Sequence, residues 1–280
     1  AAALAACNAV IVKPHEQTSL TTLKFMELFD GLPDGLMQTV TGGPRVAQHL
    51  VGSKKSHAVA YTGSVPIGQM VARTCAETFK PCLIEASGND PFIVMPSAPL
   101  DIAARGAAFA AYLNCGQVCT SAERFYVHES IHDEFVERLV AETRKLRIGN
   151  GLQKVDIGPM ATERQRTRFE ALMSEARAQG AKIATGGSRP AELNKGWFVE
   201  PTVLTGIEPG MDILKNESFG PVAPICKVKS FDEAIELANR SDYGLGACLY
   251  SLDSNDFWNT RIKYWGRWCS CAAVIKKRVV

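Results

Sequence analysis

Short β-branched runs alternate with stretches of helical period along nearly the whole chain. That alternation limits the fold more than any other feature. NAVIVKP (8–14) reads as a buried strand stopped by Pro14. QTSLTTLKFMELFDG (17–31) places Leu20, Leu23, Met26 and Leu28/Phe29 near helical spacing and ends at Gly31. LMQTVTGG, HAVAYTGS and PCLIEASG read as further strands, separated by the helices PRVAQHLVGS and VPIGQMVARTCAETF. In the latter, Ile67, Met70, Val71 and Cys75 are expected on one face. Beyond Gly88 the units lengthen: PFIVMP, ERFYVHE, KIATGG, WFVEPTVLTG, PVAPICKVKS and GLGACLYSLD as strands, and LDIAARGAAFAAYLN, IHDEFVERLVAETRKL, TERQRTRFEALMSEARAQGA and FDEAIELANR as helices. Strands alternating with helices predict an α/β protein with a parallel sheet and helices on its faces. No internal repeat or low-complexity linker interrupts the pattern, and two lobes are expected to meet near residues 85–90.

Composition narrows the function classes. With 280 residues, 46% hydrophobic and 21% charged, the chain can bury a sizeable core. No apolar run approaches a bilayer-spanning length, so no membrane role is expected. The start, AAALAACNAVIVKP, lacks a basic leader, which argues against a signal peptide, and it lacks Met, which suggests a chain beginning mid-gene. Nine scattered cysteines suit reduced thiols in a cytoplasmic protein. The formal net charge of +2 combines a body, residues 1–256, at −4 with six basic residues and no acid from Phe257 onward. An acidic body gives no electrostatic reason to expect nucleic acid.

Several stretches could carry chemistry. YTGSVPIG (61–68) ends a strand and opens a helix, with Gly63 for a tight turn, Ser64 as N-cap and Pro66 in the first turn. Such a helix start can hold a phosphate, or it is an ordinary strand-to-helix turn; it is neither G-x-G-x-x-G nor a Walker A loop. VKPHEQT (12–18) puts Lys13 and Glu16 past a strand end, where they could hold a ribose diol or simply be solvated. Glu85, ending the apolar run of LIEASGN, could be a partly desolvated general base or face solvent. NCGQVCTSAER (114–124) holds Cys115 and Cys119 with no companion at zinc-site spacing, so no metal site is expected. Two buried thiols remain one reading. A nucleophile at Cys119, in a turn after the Gly-Gln pair breaks the helix, is the other. His15, His49, His57, His128 and His132 are dispersed, and surface roles are expected for them.

Together these stretches resemble the aldehyde dehydrogenase family. VKPHEQT is similar to its K-P-x-E-x-T segment, YTGSVPIG to F-T-G-S-x-x-x-G, and IEASGNDPFIV to E-L-G-G-K-x-P-x-I-V. NCGQVCTSAER resembles N-x-G-Q-x-C-x-x-x-x-R, NESFGPVAPI the E-x-F-G-P-V segment, and YGLGACLYS the Y-G-L-A-A-x-x-x-S element. The six motifs run in the family's order across residues 1–254, with Glu85 and Cys119 separated by 34 residues. The resemblance implies a partial Rossmann-type lobe binding NAD (1–87), an α/β catalytic lobe carrying the thiol (88–254) and a diverged basic, Trp-rich tail (255–280). It makes Cys119 the nucleophile that forms a thiohemiacetal and then a thioester, and Glu85 the base that activates water to release the acid. It gives Lys13 and Glu16 the adenosine ribose, Gly63 and Ser64 the pyrophosphate helix, and Glu217 and Phe219 the nicotinamide ribose and ring. Glu16 favours NAD over NADP by repelling a 2′-phosphate, and Glu85 favours hydrolysis over transfer to coenzyme A. The wording SGNDPFIVMPSA points weakly to semialdehyde-oxidising members.

The sequence departs from the family at three places. No P-W-N segment supplies an oxyanion Asn, and losing one such donor costs about 10²–10³ in rate. After about Ser254 the family's A-G-x-V-x-x-N strand, P-F-G-G-x-K-x-S-G loop and oligomerising strand are replaced by NDFWNTRIKYWGRWCSCAAVIKKRVV, as a shifted reading frame would produce. EASGN stands for E-L-G-G-K, keeping small residues. The expectation is an incomplete form of the enzyme with impaired activity. The alternatives are a non-catalytic remnant that binds dinucleotide or a partner chain, and an acyl-transferring, coenzyme-A-type enzyme. The partner expected is a small aldehyde. Full-length members form homo-oligomers, whereas this chain is expected to be monomeric or to aggregate.

Overall fold

The computed structural model describes residues 2–263. They divide into two compact units, one ending at Ala86 and the other beginning at Ser87. The first unit runs α1 (Ala2–Ala5), β1 (Val10–Val12), α2 (Ser19–Met26), β2 (Met37–Thr39), α3 (Pro44–Gly52), β3 (Val59–Thr62), α4 (Val65–Ala76) and β4 (Cys82–Glu85). The alternation is there, but β1 pairs only with β2 and β3 only with β4. Two short parallel ladders therefore replace the single sheet expected. Helix α4 buries Gly68, Val71 and Cys75, an i, i+3, i+7 stripe. Ile67 and Met70, expected on that face, are exposed. Each lies one residue, about 100° of helical rotation, away from the stripe.

The second unit contains β5 (Asp90–Val94), α5 (Leu100–Tyr112), β6 (Ala122–His128), α6 (His132–Arg144), α7 (Glu163–Ala178), β7 (Lys182–Thr185), β8 (Thr202–Ile207), α8 (Asp212–Lys215), β9 (Val222–Val228), α9 (Phe231–Asn239), β10 (Cys248–Tyr250) and α10 (Ser254–Lys263). One six-stranded sheet has the order β10-β5-β6-β9-β8-β7. All pairings are parallel except β7 with β8, an antiparallel edge. Nearly every residue of β5, β6 and β9 is buried, as expected of strands covered on both faces. Helix α5 packs through Ala103, Ala104, Ala107, Ala108 and Ala111, small residues that let it lie close to the sheet, and ends on the buried Tyr112. Phe92 stacks on Tyr250 at 4.9 Å and meets Phe125 at 5.0 Å, tying β5 to both neighbours. His132 is buried at the start of α6, with Nδ1 2.6 Å from Asp133, and not at the surface as expected; burial holds its pKa down. The diverged tail falls partly on α10, and residues 264–280 lie outside the described residues.

Candidate active site

The two cysteines of NCGQVCTSAER separate because α5 ends sooner than its alanines suggest. It stops at Tyr112, before the Gly-Gln pair, and Asn114 (φ 53°), Cys115 (φ 59°) and Gly116 (φ 69°) then take left-handed backbone. Each non-Gly residue there costs about 1–2 kcal/mol. Hydrogen bonds hold the turn: Asn114 Nδ2 donates to the Gln117 carbonyl (3.1 Å), Gln117 Nε2 to the Asn114 carbonyl (3.2 Å), and Ser121 Oγ to the Gly116 carbonyl (3.2 Å). A Cβ at Gly116 would overlap the Gly220 backbone, so only glycine permits this approach. Cys115 points into the core at 1% exposure, where burial pushes its thiol up to about 12. Cys119 is half-buried in the following turn. Of the two thiols, it is the one solvent can reach.

The Cys119 backbone is linked to Glu217 through Gly88. A Cβ at Gly88 would overlap the Cys119 carbonyl oxygen. The Gly88 N–H donates to Glu217 Oε1 at 3.2 Å. Glu217 is 8% exposed; burial pushes its carboxyl up, opposed by hydrogen bonds from Ser87 and Gly88. Arg168 Nη2 donates to the Glu217 carbonyl at 3.1 Å. Phe219, half-buried, has φ 45°, a strained value for an aromatic residue. Cys119, Gly88, Glu217 and Phe219 thus form one connected group within the second unit.

Two residues that carry this group had not been singled out for a role. Glu123, 3% exposed, accepts from Ser218 N through Oε2 (2.6 Å) and from Phe219 N through Oε1 (2.9 Å). Burial pushes its carboxyl up to about 8 against the pull of those donors. Arg124 donates from Nε to the Asn89 carbonyl (2.7 Å) and from Nη1 to those of Ala238 (3.0 Å) and Leu237 (3.4 Å). Asp90 accepts from Gly246 N at 2.9 Å, and burial pushes its carboxyl up to about 6. The available signal was an acid–base pair, Glu123-Arg124, at the start of a strand whose other residues are apolar or aromatic.

The remaining sequence-derived residues lie in the first unit. Lys13 Nζ donates to the Pro14 carbonyl at 2.6 Å. Glu16 is exposed, and its own backbone N–H holds its carboxyl below the usual range. Gly63 N donates to the Glu85 carbonyl at 3.1 Å, joining the ends of β3 and β4. Ser64 is the N-cap of α4 but makes no side-chain cap hydrogen bond, so its hydroxyl does not occupy the N–H groups of the first turn. A phosphate would suit those donors. Glu85 is exposed, which corrects the expected partial desolvation. Its strand neighbours Cys82 and Leu83 are exposed too, so an apolar run did not mean burial. Among the described residues no group of three or more His, Cys, Asp or Glu could hold a metal ion, and no helix is long and apolar enough to cross a membrane.

The family model for the aldehyde dehydrogenase family matches residues 1–263. The 3,6-anhydro-alpha-L-galactose dehydrogenase of Vibrio sp. (strain EJY3) is 37% identical over 253 residues, covering 88% of this chain and 53% of that protein. The solved NAD-dependent aldehyde dehydrogenase from Sinorhizobium meliloti superposes with a TM-score of 0.91 at 35% identity, covering 96% of this chain and 54% of its own. A 3,6-anhydro-L-galactose dehydrogenase solved in complex with NAP, that is NADP, gives 0.90 at 36% identity, covering 97% and 58%. The chain spans about half the length of the curated relatives it matches.

Proposed function

Because this chain belongs to the aldehyde dehydrogenase family, we propose that it carries the thiol half of an aldehyde oxidation that yields a carboxylic acid. The observation that carries the reading is the contrast between the thiols: Cys115 sealed in the core, Cys119 reachable in a turn. The Cys119 thiolate adds to the aldehyde carbon, giving a thiohemiacetal. Loss of hydride from that carbon leaves a thioester on Cys119. Glu85, exposed at the end of β4, takes a proton from water, whose oxygen attacks the thioester and releases the acid and the thiolate. Bound NAD, when present, supplies the hydride acceptor.

The chain's own residues suit such a dinucleotide. The first turn of α4, after Gly63 and Ser64, suits its pyrophosphate, and Lys13 and Glu16 suit the adenosine ribose. Glu217 and Phe219, tied to the Cys119 backbone through Gly88, suit the nicotinamide ribose and ring. The Glu16 charge favours NAD, since a 2′-phosphate beside a carboxylate is repelled. Domain roles follow: dinucleotide binding up to about residue 87 and thiol chemistry beyond it.

The test is NADH appearance at 340 nm with NAD and a panel of short aldehydes, beside Cys119→Ala. Turnover abolished in the variant supports the reading, and turnover retained sinks it. A folded chain that binds NADH without turnover would instead support a non-catalytic remnant. In an active chain, Glu85→Gln should stop acid production; acyl transfer to coenzyme A that survives it would favour the acyl-transferring alternative.

A further inference from the structure

The segment that carries Glu217 and Phe219 is not held by regular secondary structure. It lies between α8 and β9, and Phe219 takes a left-handed φ. Something must fix it. The backbone N–H groups of Ser218 and Phe219 both point at one side chain, Glu123, and each meets a different oxygen of its carboxyl (2.6 and 2.9 Å). Among the described residues no other acceptor serves either N–H. Glu123 stands four residues after Cys119, at the second position of β6, and is 3% exposed. The side chain is therefore fixed by the sheet at one end and fixes the segment at the other. From the opposite direction, Glu217 grips Gly88 N, and Gly88 abuts the Cys119 carbonyl. The chain of contacts closes a loop: Cys119, Gly88, Glu217, Ser218–Phe219, Glu123 and back along the strand to Cys119.

We propose that Glu123 is a positioning residue, whose buried carboxyl, forked across the N–H groups of Ser218 and Phe219, holds Glu217 and Phe219 in register with the Cys119 loop. This rests on the dinucleotide role proposed for Glu217 and Phe219. Gln at 123 keeps the size but turns an NH2 donor toward one of the two N–H groups, so one half of the fork is lost. Asp keeps both oxygens but withdraws them by one methylene.

The experiment measures the NADH dissociation constant by fluorescence for the 280-residue chain, Glu123→Gln, Glu217→Gln and the double variant, with Glu123→Asp as the substitute if the Gln variant does not fold. Glu123→Gln is expected to weaken binding by about ten-fold, the scale of one buried N–H left without its acceptor. The double variant is expected to bind within about two-fold of Glu217→Gln alone, because residues acting through one another are not additive. Wild-type affinity in Glu123→Gln, or additive losses in the double variant, overturns the proposal. A wild-type chain without measurable NADH affinity would count against the dinucleotide reading itself. The iodoacetamide alkylation rate of Cys119, mapped by mass spectrometry, then decides. A changed rate in Glu123→Gln, with no further change on adding Glu217→Gln, supports the positioning role; a wild-type rate overturns it.

Discussion

Raising the pH from 6 to 8 is expected to cost the second unit about 2 kcal/mol of stability, and Glu123→Gln is expected to remove that loss. The sign follows from which state holds the proton. Burial raises the Glu123 carboxyl from an ordinary 4.5 to about 8, so in this interval the folded state keeps a proton that the unfolded state has released. Stability is then greatest below the unfolded value, falls as pH rises, and levels off once the folded value is passed. One proton is worth about 1.4 kcal/mol per pH unit, which gives about 1 kcal/mol lost between pH 6 and 7 and somewhat less between 7 and 8, where the folded carboxyl is itself ionising. Asp90, raised to about 6, adds only a few tenths of a kcal/mol in this interval. Glu217 acts in the same direction, and His132, whose pKa is lowered, acts in the opposite one and has finished by about pH 7. The wild-type minus variant difference therefore isolates Glu123. Urea unfolding at pH 6, 7 and 8, followed by tryptophan fluorescence, reads the correct unit, because all four tryptophans lie at residue 197 or later. A flat wild-type profile, or the same slope in Glu123→Gln, would refute the reasoning. It would mean that the two N–H donors outweigh desolvation and keep Glu123 ionised throughout.

Three further outcomes are expected. Gly88→Ala sets a methyl against the Cys119 carbonyl, so unfolding by urea should show a loss of about 1–3 kcal/mol and the Cys119 alkylation rate should change. Arg124→Met removes the guanidinium hydrogen bonds to the carbonyls of Asn89, Leu237 and Ala238, of which Leu237 keeps Tyr126 Oη and Arg240 N as donors, and should cost about 3 kcal/mol in the same assay. Cys115→Ala should leave Cys119 alkylation at the wild-type rate, since the Cys115 thiol is sealed in the core; a slowed rate would show that the two cysteines act together.

The strands were legible because their signal is local. AVIV, AVAY, FIV and ICKV each carry enough β-branched or aromatic residues to mark a strand without knowledge of a partner. What the strands pair with is not local. Nothing in residues 8–88 says that β1–β2 and β3–β4 would form separate ladders, or that β7 would run antiparallel at the sheet edge. Burial was legible where strands are covered on both faces, as at Phe92–Val94, and misread where they are not, as at Cys82–Glu85. The same apolar run can face a core or solvent, and only the packing around it decides.

The site divides along the same line. That Cys119 lies in a turn was legible in the sequence, but the reason it differs from Cys115 was not. On a continuous helix, residues four apart share a face and would share a fate. Here α5 ends at Tyr112, and three consecutive positive φ values turn the chain so that one thiol enters the core and the other a turn. Asn114 and Gly116 tolerate that backbone locally, but Cys115 does not; it is held there because Gly116 must fit against Gly220, more than a hundred residues away in sequence. Glu123 has the same character. Within AERFYVH the two-residue strand period sets it on the face of Phe125 and Val127, an acid among apolar residues, and its partners, Ser218 and Phe219, lie 95 and 96 residues further on. A buried carboxyl is tolerable only with such partners. Sequence can therefore flag it as anomalous in a strand, but only the fold supplies the N–H groups that turn the anomaly into a fork joining the two halves of the site.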